Sequence, residues 1–100
     1  MDYATLKNLF RDRDKMIRLF CLKTAVKEKL PQIGEFVIDG LRDERPEVVT
    51  AALKGARLCE DPEIIGMVLT YLESPNTMLR SEALQALEGK RHPMVREALG

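Results

Sequence analysis

Residues 43–68, DERPEVVTAALKGARLCEDPEIIGMV, decide how this chain folds. Val48, Ala52, Ala56 and Cys59 recur at i, i+4, i+8 and i+11, which lays one apolar stripe along a helix predicted over residues 46–58. Pro46 suits its first turn, because the first N–H groups of a helix have no internal partner and the fixed φ of proline already matches helix geometry. Asp61 can cap a second helix with its carboxylate while Pro62 takes the first helical position. That leaves a turn of about three residues, so the two helices must run antiparallel.

Working outward, the same arrangement returns every 31 residues. Pro31, Pro62 and Pro93 keep that interval, and aligning on them needs no gap. Five apolar columns fall into register: Ile17, Val48 and Leu79; Cys21, Ala52 and Ala83; Leu22, Leu53 and Leu84; Ile33, Ile64 and Val95; Val37, Val68 and Leu99. In the first unit a helix is predicted over residues 14–29 and its partner from Pro31 to Asp39, where Gly40 ends it. In the third, Pro75 opens a helix striped by Leu79, Ala83 and Leu87, with Gly89 near its end. Residues 2–10 align, through Leu6 and Val37, with a second helix that lacks its first. The expected organisation is a half unit over 1–10 and units over 11–40, 41–71 and 72–100, in one all-α domain of six to seven antiparallel helices. Gly55, among Ala51, Ala52 and Ala56, costs about 1 kcal/mol of helix propensity, which close helix packing offsets.

Composition agrees with a folded globular chain: 45% of residues are apolar and 32% charged, with five prolines and six glycines. No apolar run approaches the 18 or more residues that span a bilayer, and Met1 to Phe10 has no signal-peptide pattern, so a cytoplasmic location is expected. Cys21 and Cys59 sit in apolar helical patterns without a CxxC pair or clustered histidines, which reads as buried thiols rather than a metal or redox site. No cofactor is expected. The formal charge is zero, yet residues 1–30 hold eight basic against four acidic side chains and residues 31–100 hold eight against twelve.

With the units laid out, the chain resembles the short HEAT-like repeats of bacterial and archaeal proteins, including those first noted in phycobilin lyases. The resemblance rests on DRDKMIR at Asp12 to Arg18, DERPEVV at Asp43 to Val49, SPNTMLR at Ser74 to Arg80, the turn CEDPEII at Cys59 to Ile65 and EALQAL at Glu82 to Leu87. It implies a right-handed α-α superhelix with a polar ladder between units, here Asp12, Asp43, Arg18 and Arg80, interrupted where Val49 replaces Arg and Ser74 replaces Asp. Proteins of this class include scaffolds, adaptors, lyase subunits and nucleic-acid enzymes, so the architecture says little about activity.

The expected function is a protein-protein interaction scaffold or adaptor, as a segment of a larger repeat protein. The resemblance implies a concave face built by the second helices. Its positions free of the core are Gln32, Glu35, Asp39, Glu63, Met67, Thr70, Met94 and Glu97. A mildly acidic face with two methionines suits a basic or amphipathic peptide; a plain solvated face is the alternative. A nucleic-acid-binding module would use the basic third through Lys7, Arg11, Lys15, Lys23 and Lys27, but Asp12, Asp14 and Glu28 interrupt it and no aromatics interleave for base stacking. A third possibility is a non-catalytic part of a lyase-type HEAT-repeat enzyme. No phosphate loop, HExxH or GxSxG motif is present, and His92, ahead of Pro93, reads as a turn residue, so no enzymatic role is expected. Neither end carries a polar capping unit, which also allows self-association through the ends. Truncating Leu53 or Leu84 to alanine is expected to cost about 2–5 kcal/mol.

Overall fold

The stripe that defines the middle helix is buried along its length: Val48, Ala52 and Ala56 have no exposed surface and Cys59 is 5% exposed. Val48, Ala52 and Ala56 belong to α4, which ends at Ala56 so that Cys59 falls in the turn beyond it; α4 is one of six helices in the computed structural model, which describes residues 3–88 and 90. The helices are α1 (Tyr3–Phe10), α2 (Lys15–Lys27), α3 (Ile33–Leu41), α4 (Pro46–Ala56), α5 (Pro62–Thr70) and α6 (Thr77–Leu87), with a single 3-10 turn at Tyr71–Glu73. No strand occurs among the described residues. The expectations for Gly89, His92, Pro93, Met94, Val95, Glu97 and Leu99 lie outside the described residues.

Side-chain caps and turn closures set the helix starts: α2 begins where expected, while α3 and α6 begin two residues after Pro31 and Pro75. Asp14 caps α2 by accepting from the Met16 amide at 2.8 Å, and Asn76 caps α6 by accepting from Met78 at 2.9 Å and Leu79 at 3.4 Å. Pro75 therefore lies in the turn, not inside α6. Pro31 is likewise outside α3, which begins two residues later at Ile33. Pro46 and Pro62 do occupy first turns, as expected, but Asp61 makes no side-chain capping bond.

Between Asp14 and Asn76 in the 31-residue register stands Arg45, the N-cap of α4, with no side-chain capping bond. A cationic residue at this position is also unfavourable next to the positive end of the helix dipole. Arg45→Ser is expected to stabilise the fold by about 1 kcal/mol, seen as a higher denaturant midpoint at unchanged slope.

The turn after α2 explains why α3 starts late. Lys29 takes a left-handed conformation with φ of 49°, the Leu30 amide reaches back to the Ala25 carbonyl at 3.2 Å, and the Lys29 amide reaches Val26 at 3.2 Å. These two bonds make a Schellman closure, which glycine usually occupies. Lys29→Gly removes the steric cost of a Cβ in that conformation and is expected to raise stability by about 1 kcal/mol in the same titration.

α4 sits at the centre, packed on α3, α2 and α6, and more lightly on α5; α1 packs on α2, and α3 on α5. The shortest dimension of the molecule, 18 Å, is the depth of two helices set about 8–10 Å apart. Small residues permit the closest approaches. A Cβ on Gly40 would fall 2.7 Å from the Ala52 Cβ, and one on Gly55 would fall 3.0 Å from Val26 and 3.1 Å from Val37. Gly40 was expected to stop α3; the helix instead continues to Leu41, because Gly40 serves as a contact surface for α4 and Leu22.

The apolar columns are mostly interior. Cys21, Ala52 and Ala83 are buried, as are Leu22 and Leu53, and Val37 and Val68. Ile17 and Ile33 are half-buried, and Leu84 is exposed at 45%. Leu22 is covered by α3, whose Gly40 lies against it, whereas no described helix follows α6.

A part-buried ion pair ties α2 to the turn before α4. Arg18 grips Asp43 with Nε to Oδ2 at 2.7 Å and Nη2 to Oδ1 at 3.1 Å, and its Nη1 donates to the carbonyls of Asp12 and Arg13. The Asp12 carboxylate turns to the Asp14 amide instead. Arg80 repeats the local part, donating to the Ser74 carbonyl at 2.6 Å, and the Ser74 hydroxyl accepts from Asn76 as Asp12 accepts from Asp14. Ser74 thus keeps the turn but offers no carboxylate to a neighbour. With Asp43 at 9% and Arg18 at 16% side-chain exposure, Arg18→Ala is expected to cost about 1–2 kcal/mol by chemical denaturation, after discounting for partial solvation.

Candidate protein-binding groove

Because helices α2 and α4 turn Ile17, Cys21, Leu22, Ala52 and Leu53 inward, the residues a third of a turn away face out between them. Leu19 and Val26 of α2, Ala51 of α4 and Met78 of α6 form the apolar part of a groove of about 440 Å³. Met78 is 62% exposed, and Met16 and Phe20 extend the apolar surface of α2 at 63% and 50%. Lys23, Lys27 and Lys54 stand around it with Glu47 and Thr50. Glu47 is bonded to Lys15, whose ammonium holds the carboxyl below the usual carboxylate range through that hydrogen bond. Lys23, Lys27 and Lys54 form no ion pair among the described residues. Thr50 directs its hydroxyl to the Pro46 carbonyl at 2.8 Å, within its own helix.

The residues expected on the second-helix face lie elsewhere and are largely engaged. Glu35 accepts from the Tyr3 hydroxyl and pairs with Lys7 at 3.9 Å, while Glu63 pairs with Arg42 at 3.8 Å. Met67 is half-buried and packs on the core, Thr70 donates to the Met67 carbonyl, and Gln32 is half-buried at the start of α3. A cavity of about 320 Å³ between α1 and α3 brings Glu35 and Asp39 together with Lys7 and Arg11 over Phe10 and Phe36. Tyr3 and Phe10 both meet Phe36 edge-on at 5.8 Å between ring centroids. Here the expected acidic face and part of the expected basic patch offset each other.

The five basic residues read as a nucleic-acid patch are therefore divided. Lys7 and Arg11 line the α1–α3 cavity, Lys15 is committed to Glu47, and Lys23 and Lys27 rim the groove. A further shallow depression at the turns before α2 and α4 mixes Arg11, Arg13, Arg42 and Arg45 with Asp12, Asp39 and Glu44, so its charges alternate in sign.

Both thiols are interior, and burial pushes the pKa of Cys21 and Cys59 up. The Cys59 thiol donates to the Gly55 carbonyl at 3.7 Å. Among the described residues no three His, Cys, Asp or Glu side chains are placed to hold a metal, and no helix is long and apolar enough to cross a membrane.

The groove was not singled out by sequence reasoning, although α2 carried a signal for it. Once Ile17, Cys21, Leu22 and Ala25 are assigned to the core, Met16, Leu19, Phe20 and Val26 remain, more apolar residues than one buried stripe uses. Fold and groove together define an all-helical protein with a lysine-edged apolar surface. Compared with known proteins, the chain matches no protein-family model and no curated protein sequence.

Proposed function

We propose that the chain is a protein-interaction module, a right-handed superhelix of HEAT-like hairpins that binds another protein across α2, α4 and α6. The observation that carries this is the groove itself, where Met78 is 62% exposed beside the half-buried Leu19, Val26 and Ala51, and Met16 and Phe20 lie exposed on the same helix, α2. Adaptable methionine beside unpaired cations is the composition of a contact surface. The stacked architecture is supported by the 31-residue register and by contacts at nearly that spacing: Lys15 with Glu47, the Tyr71 hydroxyl with the Leu41 carbonyl, and Lys90 with the Cys59 carbonyl at 2.6 Å.

Affinity capture from the native host with the wild-type chain, Met78→Glu and Glu63→Lys tests the reading. Proteins retained by the wild type and Glu63→Lys but lost with Met78→Glu are the expected result. Retrieval of nothing reproducible, or of proteins insensitive to Met78→Glu, overturns it.

A further inference from the structure

We infer that the segment bound in this groove is an acidic amphipathic helix. The inference rests on the proposed interaction role and specifies its partner. Lys23 and Lys27 are four residues apart on α2 and share its outer face, and Lys54 stands opposite on α4. All three lack an ion pair among the described residues, and Glu47, the acidic side chain of the rim, is occupied by Lys15. A ligand that places carboxylates along its flanks completes these three charges, and an apolar stripe between the flanks covers Leu19, Val26, Ala51 and Met78.

The backbone decides the conformation of that ligand. α2, α4 and α6 are helices whose main-chain groups bond within themselves, so the groove offers a partner no row of amides or carbonyls to pair with. An extended segment would bury its own polar backbone against apolar side chains. A helix satisfies its backbone internally and presents only side chains. α2 has 13 residues, about 20 Å at 1.5 Å per residue, which matches a ligand of three to four turns.

Two other occupants fit less well. Duplex DNA would bring phosphates to the lysines but gains nothing from the exposed methionine and the apolar floor. A second copy docked by the same face would set Lys23, Lys27 and Lys54 against their own counterparts, and like charges opposed at an interface are repulsive.

The test uses the whole chain, isotopically labelled, titrated with a synthetic amphipathic helix bearing Glu on both flanks of a Leu and Met stripe. The same peptide with Lys at every Glu position and a duplex DNA serve as comparisons. At low salt the acidic peptide is expected to bind about tenfold tighter than the basic one, with its advantage shrinking as salt rises. Resonance shifts should centre on Leu19, Val26, Ala51 and Met78, and Lys27→Glu with Lys54→Glu, both surface changes, should reverse the preference. Equal affinity for the two peptides overturns the acidic partner and leaves the groove as the binding surface. Shifts centred elsewhere, DNA competing the peptide away, or no binding of either peptide each overturn the inference. The broader interaction role fails separately, by a capture that does not depend on Met78.

Discussion

Leu53→Ala is expected to lower stability by about 2–5 kcal/mol, measured by urea or guanidinium titration with the slope checked for two-state behaviour. Leu53 has no exposed surface and lies in α4, the helix against which α2, α3 and α6 all pack. Removing three carbons there subtracts their transfer free energy and leaves a void that three helices would have to close. Helices anchored to other neighbours close such a void only in part, so the loss belongs toward the upper end of the range. For a domain whose total stability is about 5–15 kcal/mol, that removes a large share. Leu84→Ala is the control. It occupies the matching place in the 31-residue register but is 45% exposed, so its loss is expected below about 1 kcal/mol. Equal losses at the two sites would show that position in the register, not burial, sets the energy.

That contrast also marks how far the sequence was legible. The i, i+4, i+8, i+11 spacing of Val48, Ala52, Ala56 and Cys59 placed α4 and its buried face, since helix periodicity is a local property that one core surface selects. Leu84 shares its column with Leu22 and Leu53, and a column alone does not say how far each of its members is buried. Helix boundaries failed at Pro31 and Pro75 for a different reason. Proline is compatible with a first turn but does not create one, and the Asn76 side chain and the closure at Lys29 set the actual starts. The groove depends on side chains of three helices that are neighbours only in space, so Lys23, Lys54 and Met78 could not be grouped from their positions in the chain. The Arg18–Asp43 link lay within reach because the family resemblance named both residues; that the Asp12 carboxylate instead serves its own turn is a matter of local geometry.

Gly40→Ala carries the second large effect, an expected loss of about 2 kcal/mol, although alanine favours helix over glycine by about 1 kcal/mol. The added methyl would stand 2.7 Å from the Ala52 Cβ and 2.9 Å from Leu22 Cδ1. Leu22 can rotate its tip, but the Ala52 Cβ is fixed to the backbone of α4, so relief requires α3 and α4 to separate along their most extensive contact. Separation opens gaps beside Phe36, Val37 and Leu41, and the dispersion lost there outweighs the propensity gained. Gly55→Ala supplies the comparison, because its methyl would meet only the Cγ2 ends of Val26 and Val37 at 3.0 and 3.1 Å. Those neighbours can yield by a few tenths of an ångström, so propensity and crowding nearly cancel and a change within about 1 kcal/mol is expected. Thermal unfolding of both variants distinguishes the two cases: a melting temperature well below wild type for Gly40→Ala and near it for Gly55→Ala places the tightest helix crossing between Gly40 and Ala52. Equal shifts, or a stabilised Gly40→Ala, would mean that α3 and α4 lie farther apart than that contact requires.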